Sequence, residues 1–180
     1  TIGIEVNTSS RYRTIAVSQT NPYFTDDGVS RTYEVFLRTI RPSAYTTGDY
    51  RVKTIGGSVK FGVPFSELDR IFFGIGIENT KVDTDTSSPS LYRQYVRDFG
   101  AGSGAPGCDV VNDSTCGVGT ASTTSFPLTA AWQRDSRDSA LVPTKGRFQR
   151  ANLELSAVGT LKYYRATYQH QYFQPFWANA

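Results

Sequence analysis

Alternating apolar and polar residues, stopped three times by a proline and then aromatics, constrain this chain more than any other feature. The three stops are Asn21-Pro22-Tyr23-Phe24, Val63-Pro64-Phe65 and Gln174-Pro175-Phe176-Trp177. Proline has no N–H to give to a ladder and belongs at strand ends. Tyr, Trp and Phe gather where an apolar slab meets water. Several strands ending at one boundary in this way point to a β-barrel lying in a membrane.

Eight segments carry the period of two expected of strands. The first sets Ile2, Ile4 and Val6 against Gly3, Glu5 and Asn7, and the second, Tyr12 to Thr20, sets Ile15 and Val17 against Thr14, Ala16 and Ser18. After a Thr25-Asp26-Asp27-Gly28 turn, Tyr33, Val35 and Leu37 alternate with Glu34, Phe36 and Arg38. The fourth opposes Val59, Phe61 and Val63 to Ser58, Lys60 and Gly62, and the fifth opposes Ile71, Phe73, Ile75 and Ile77 to Phe72, Gly74, Gly76 and Glu78. Later segments centre on Leu128 and Trp132, on Leu153 and Leu155, and on Tyr164 to Tyr172. Between the fifth and sixth, about residues 83–124, the sequence reads as a long irregular loop, and no stripe of period 3.6 is evident, so helix is expected to be nearly absent.

No apolar run approaches the roughly 20 residues that a spanning helix needs. A negative mean hydropathy does not argue against a membrane barrel, because half of every strand faces the lumen. The net charge of +3 is too small and too dispersed to imply nucleic acid. The pattern opens inside a strand, with no Met and no leader, so the chain reads as a piece of something longer. Connections after the second, fourth and sixth strands read as tight turns, and those after the first, third and fifth as longer or more polar, which fits tight turns on the periplasmic side.

Cys108 and Cys116 are the only cysteines and lie in a Gly/Ser/Asp-rich loop. An even count at close spacing favours a disulfide. A metal site is the rival, weakened by a single distant His170 and the lack of any CxxC pair, and free thiols are the third possibility. Alternation alone also permits a soluble barrel or sandwich that acts as a binding module. Gly74 and Gly76 on the polar face favour a crowded lumen over a solvated exterior. His170 falls in the apolar-face register near a strand end and reads as an interfacial residue. No nucleophile–base pair and no Gly-rich phosphate loop is present, so an enzyme is not expected, nor a cofactor or catalytic metal.

The segments Thr20 to Ser30, Phe61 to Glu67 with Phe73 to Glu78, and Trp132-Gln133-Arg134-Asp135-Ser136-Arg137-Asp138 with Pro143-Thr144-Lys145-Gly146 run in a recognisable order. Together with Lys162-Tyr163-Tyr164 and Tyr172-Phe173-Gln174-Pro175, they resemble the BamA family of outer-membrane protein assembly factors. The matches, among them the D-S-R-D…P-T-x-G turn, are specific jointly rather than singly, and the long Cys-bearing loop lies outside the likeness.

The resemblance implies an all-β, antiparallel barrel of sixteen strands in the outer membrane of a Gram-negative bacterium, with these eight as the third to tenth. POTRA repeats, the seam strands and a V-R-G-F-type motif would lie elsewhere. Implied partners are outer-membrane lipid, client outer-membrane proteins and accessory lipoproteins, with a two-partner secretion pore as the alternative role. The periplasmic turn residues would be Asn21, Pro22, Tyr23, Phe24, Asp135, Arg137, Asp138, Pro143 and Gly146. The lumen would be lined by Glu34, Arg38, Lys60, Glu78, Arg150, Glu154 and Arg165, as a structural network rather than an ion path. Half a barrel has two open edges, residues 1–8 and 163–173, which are expected not to meet within one chain.

Overall fold

A computed structural model describes residues 1–42, 48–102, 104, 107–139 and 141–175. The third Pro-aromatic stop therefore has its Phe176 and Trp177 outside the described residues. Among the described residues ten strands and one helix follow in order: β1 (Ile2–Thr8), β2 (Tyr12–Asn21), β3 (Ser30–Ile40), β4 (Tyr50–Pro64), β5 (Asp69–Thr84), α1 (Ser90–Phe99), β6 (Gly100–Gly102), β7 (Gly119–Ser125), β8 (Leu128–Asp135), β9 (Gly146–Ser156) and β10 (Tyr163–Phe173). All pairings are antiparallel and form one sheet in the order β1-β2-β3-β4-β5-β8-β9-β10. Among the described residues the two terminal strands do not pair, so the sheet is open.

The register turns the alternation into two continuous faces. Tyr33, Val59, Ile75, Leu128, Leu155 and Tyr164 are successive partners from β3 to β10. Thr32, Lys60, Gly74, Thr129, Glu154 and Arg165 make the matching row on the opposite face. Much of the apolar face is exposed; Phe73, Ile75 and Ile77 are 53%, 57% and 51% accessible. Soluble monomers rarely leave so large a contiguous apolar surface in water.

The polar face holds its bulk by pairing large with small. Phe36 lies opposite Gly56 and Phe72 opposite Gly62. A Cβ on Gly62 would stand 2.9 Å from the Phe72 ring, and one on Gly56 the same distance from Phe36. These glycines make room for aromatic rings laid across the sheet.

Three expectations are corrected. First, helix is not absent: α1 lies inside the stretch read as an irregular loop. Tyr92, Tyr95, Val96 and Phe99 follow i, i+3, i+4, i+7 spacing, and Pro89 precedes its first turn. Second, residues 83–124 are largely ordered, because β5 runs on to Thr84 and β7 pairs with its upper half over Glu78–Thr84. Below it β8 takes the same edge over Asp69–Ile75, so β7 and β8 form one line interrupted at Phe126-Pro127. Third, the connection at residues 9–11 is shorter than the one at 22–29, so the contrast in loop length between the two ends rests mainly on the segment after β5.

Among the described residues no helix is long and apolar enough to cross a membrane, a test that does not bear on strands.

Candidate functional site

The seven charged residues expected to line a lumen share the polar face of the sheet. Six of them, Glu34, Arg38, Lys60, Glu78, Arg150 and Glu154, border one cavity of about 350 Å³. Lys60 Nζ donates to Glu34 Oε2 at 2.8 Å. Glu154 Oε1 accepts from the Tyr163 hydroxyl at 2.8 Å and lies 3.9 Å from Arg165 Nη2. Arg38, Glu78 and Arg150 make no direct ion pair among the described residues, so the network is partial. Arg38 instead stands over the Phe36 ring at 5.6 Å.

At the tight-turn end, β2 stops at Asn21, whose Oδ1 accepts from Tyr23 N–H at 3.2 Å. Phe24 packs against Phe61, with ring centroids 6.3 Å apart, and carries the Arg31 guanidinium over its face at 4.0 Å. β4 stops at Pro64, where a missing N–H costs the ladder nothing. Trp132 sends its indole N–H to Asp69 Oδ1 at 3.1 Å, keeping an apolar ring with one wet tip.

The β8–β9 turn brings together two halves of a motif that are apart in sequence. Arg137 forks onto Asp135 through Nε at 2.9 Å and Nη2 at 2.7 Å. Asp138 Oδ1 accepts backbone N–H from Ser139, Thr144 and Lys145 at 3.0, 2.9 and 3.1 Å. Its other oxygen takes the Thr144 hydroxyl. These bonds, the hydroxyl foremost, hold the Asp138 carboxyl down at about 2, since hydrogen bonds to the ionised form favour it. Gly146 has φ +118°, and a Cβ there would sit 2.2 Å from the Ser136 carbonyl oxygen. Asp135 and Arg137 thus pair with each other, while Asp138 ties the turn backbone.

The opposite end carries a cap that the sequence reading missed. Val52, Val82 and Ala121 are apolar residues on the polar face of β4, β5 and β7, and they seat Val96, Tyr92 and Tyr95 of α1. Tyr50 stacks on Tyr92 with centroids 3.9 Å apart, and the Tyr95 and Thr123 hydroxyls bond. Buried Arg93 donates to four carbonyls: Nε to Ser88 O at 3.1 Å, Nη1 to Asp113 O at 2.8 Å and Cys116 O at 3.3 Å, and Nη2 to Val110 O at 2.6 Å. Arg97 Nη1 reaches Cys108 O at 2.7 Å. Cys108 and Cys116 form a disulfide with Cα atoms 5.9 Å apart. The cap therefore folds over the polar face. The 3.6 spacing in α1 and the apolar residues at 52 and 82 were the signals available for it.

At the sheet's margins, among the described residues, β1 pairs only with β2 and β10 only with β9. His170 is exposed on the apolar face and bonds the Gln149 amide through Nδ1 at 3.1 Å. Among the described residues no cluster of three His, Cys, Asp or Glu is placed to hold a metal.

An open antiparallel sheet with a lipid-like exterior, a charged interior and self-tied turns is the layout of a membrane barrel wall. The profile of the Omp85 superfamily domain matches residues 1–180, the whole chain. The chain belongs to the Omp85 superfamily. It is 33% identical over 163 residues, 89% of its length, to the outer membrane protein assembly factor BamA of Neisseria meningitidis serogroup B, and spans 19% of that relative. A crystal structure of BamA from Haemophilus ducreyi lacking POTRA domains 1–3 superposes with a TM-score of 0.74 at 22% identity, over 92% of this chain and 30% of that one. The fold is thus an Omp85 barrel wall, and the bacterial outer membrane is its location. The chain spans about a fifth of the relative's length.

Proposed function

We propose that this chain supplies part of the membrane wall of a barrel that inserts and folds other outer-membrane proteins. The observation that carries the reading is the 33% identity along 89% of the chain to a protein described as an assembly factor. In this reading the face bearing Ile71, Phe73, Ile75 and Ile77 meets lipid. Glu34, Arg38, Lys60, Glu78, Arg150, Glu154 and Arg165 face the lumen, where a mixed-sign wall stiffens the barrel rather than conducting ions. The connections at 22–29, 65–68 and 136–145 face the periplasm, and the cap faces outward.

The mechanism requires no covalent chemistry and no cofactor. Client strands pair by backbone hydrogen bonds with an openable barrel edge, as in strand addition, while the barrel perturbs the bilayer beside it. The seam strands would lie beyond these eight, so the role of this part is a stiff scaffold held by paired charges and tied turns. Client outer-membrane proteins and accessory lipoproteins are the partners this reading names.

Complementation tests it. Cells depleted of their own assembly factor and supplied with the full-length protein containing this chain should regain normal levels of many outer-membrane proteins. Export of one dedicated substrate, with client insertion left at the depleted level, would instead identify a two-partner secretion pore.

A further inference from the structure

Toward the cap end, the apolar face of the sheet turns cationic. Register places Arg13, Lys53 and Lys81 in a single row across β2, β4 and β5, with Thr39 of β3 between the first two. One row further out stands Arg51, opposite Asp83. Arg41 N–H donates to Arg11 O at 2.8 Å, which sets these two residues side by side at the same margin. All six cations are exposed. Five of them, all but Lys81, border an open depression of about 600 Å³ whose floor includes Ile15 and Leu37.

The sheet neutralises this charge only in part. Arg41 lies 3.5 Å from Asp49 and Lys81 lies 3.8 Å from Asp83. Arg11, Arg13, Arg51 and Lys53 have no side-chain hydrogen bond or ion pair among the described residues. Lys53 and Lys81 are direct cross-strand partners, and like charges set opposite each other destabilise a sheet. An anion seated between them removes that repulsion. The next row inward is aliphatic, with Ile15, Leu37 and Ile55 as successive partners. From Ile55 to Val63 the apolar stretch of β4 covers about 26 Å at the usual rise per residue, close to the roughly 25 Å belt of an outer-membrane barrel.

We propose that this cationic rim binds the phosphate groups of anionic lipids in the outer leaflet. Arginine forks suit phosphate oxygens, and the acyl chains would run down the rows of Ile15, Leu37 and Ile55. A lipid is favoured over a free anion because the cations border hydrocarbon on the lipid-facing side. In open water, exposed charges of this kind would be screened. The inference rests on the proposed orientation, with the cap end outward.

The full-length protein containing this chain, placed in phosphatidylcholine nanodiscs doped with diphosphorylated lipid A or its dephosphorylated form, provides the test. Native mass spectrometry reads the lipid retained. The wild type should retain the phosphorylated form selectively. Each cation near an anionic headgroup strengthens binding roughly fivefold, so the triple variant Arg13→Gln, Arg51→Gln, Lys53→Gln should lower retention about a hundredfold. A charge-keeping triple, Arg13→Lys, Arg51→Lys, Lys53→Arg, should keep most of it. Lys53→Gln alone, expected to lose about fivefold, covers the case in which the neutral triple fails to fold, judged by heat-modifiable gel mobility.

Equal retention of both lipid forms by the wild type, or no loss in a folded neutral variant, overturns the proposal. So does displacement of the lipid by millimolar inorganic phosphate, which would mark a free-anion site. An epitope inserted at Val111 and probed on intact cells reports orientation separately. If it is reachable and the lipid result is negative, only this inference fails; if it is unreachable, the orientation fails with it.

Discussion

Along β5, Phe73, Ile75 and Ile77 are each more than half exposed, whereas Val96 and Cys116 in the cap have no accessible surface at all. The wall has almost no interior of its own. Among the described residues of its strands, the one buried apolar side chain away from the cap and the positions beneath it is Ala131, which lies opposite Phe72. The cap, by contrast, is built like a small water-soluble protein, with an apolar cluster, a buried guanidinium satisfied by carbonyls, and a disulfide. The difference teaches where each region finds its burial: the wall borrows it from lipid, and the cap makes it from its own side chains. The same sheet serves both, because Val52, Val82 and Ala121 interrupt the polar face only where α1 lands.

That contrast can be broken at several points. Replacing Arg93 with Ala removes four charge-assisted bonds and leaves buried carbonyls without donors, at a cost of roughly 4 kcal/mol. Hydrogen exchange should find the cap opened and the strand ladders unchanged; loss of protection across both would mean the two regions are one cooperative unit. Ile75→Arg should cost about 2–4 kcal/mol in lipid vesicles, read from urea titration of the full-length protein. An exposed position on a soluble surface would tolerate the change, so a neutral result would remove Ile75 from the bilayer.

Cys108→Ser combined with Cys116→Ser should weaken only the cap, by about 2.5 kcal/mol on the loop-entropy account, seen as faster proteolysis within residues 85–118. A loss in wall stability would contradict the separation of the two regions. The smallest effect concerns the self-tied turn. The Asp138 carboxyl is held at about 2, below its ordinary 3.8. A depressed carboxylate adds stability that is complete above its unfolded value and disappears as pH falls through the folded one. The turn should therefore stay tied at pH 4 and loosen between about 4 and about 2. Carbon-13 titration of Asp138 should give a midpoint near 2, and a midpoint near 4 would mean the tie is not made in solution.

Strand identity was legible wherever one face is apolar, because a period of two over five or more residues leaves few other readings. The Pro143 to Gly146 turn was legible too, since its proline and its positive-φ glycine each have a backbone reason. The site was half legible. Parity alone placed all seven charges on one face, but Arg38, Glu78 and Arg150 showed that sharing a face does not mean pairing. β7 was invisible because Gly119-Thr-Ala-Ser-Thr-Thr-Ser125 has no apolar face; it is a strand because the upper half of β5 offers it an edge. The helix α1 was overlooked because Arg93 sits inside its apolar stripe and polar loops surround it. Its charge is affordable only through carbonyls supplied by residues 88 to 116, a tertiary arrangement that no local pattern encodes.

The unbroken ladder between β4 and β5 joins Tyr50 and Thr84 beneath the cap to Pro64 and Arg70 at the tight turn. Fifteen residues of β4 at strand rise make a hydrogen-bonded beam about 50 Å long. A beam rotates as a whole. Tilting its turn end by ~10° swings the far tip by ~9 Å at that length, so small rearrangements on one side of the bilayer would appear as large excursions of the disulfide-bearing crest on the other. In the proposed orientation the crest would be a pointer, amplifying outside the cell whatever the wall does within the membrane.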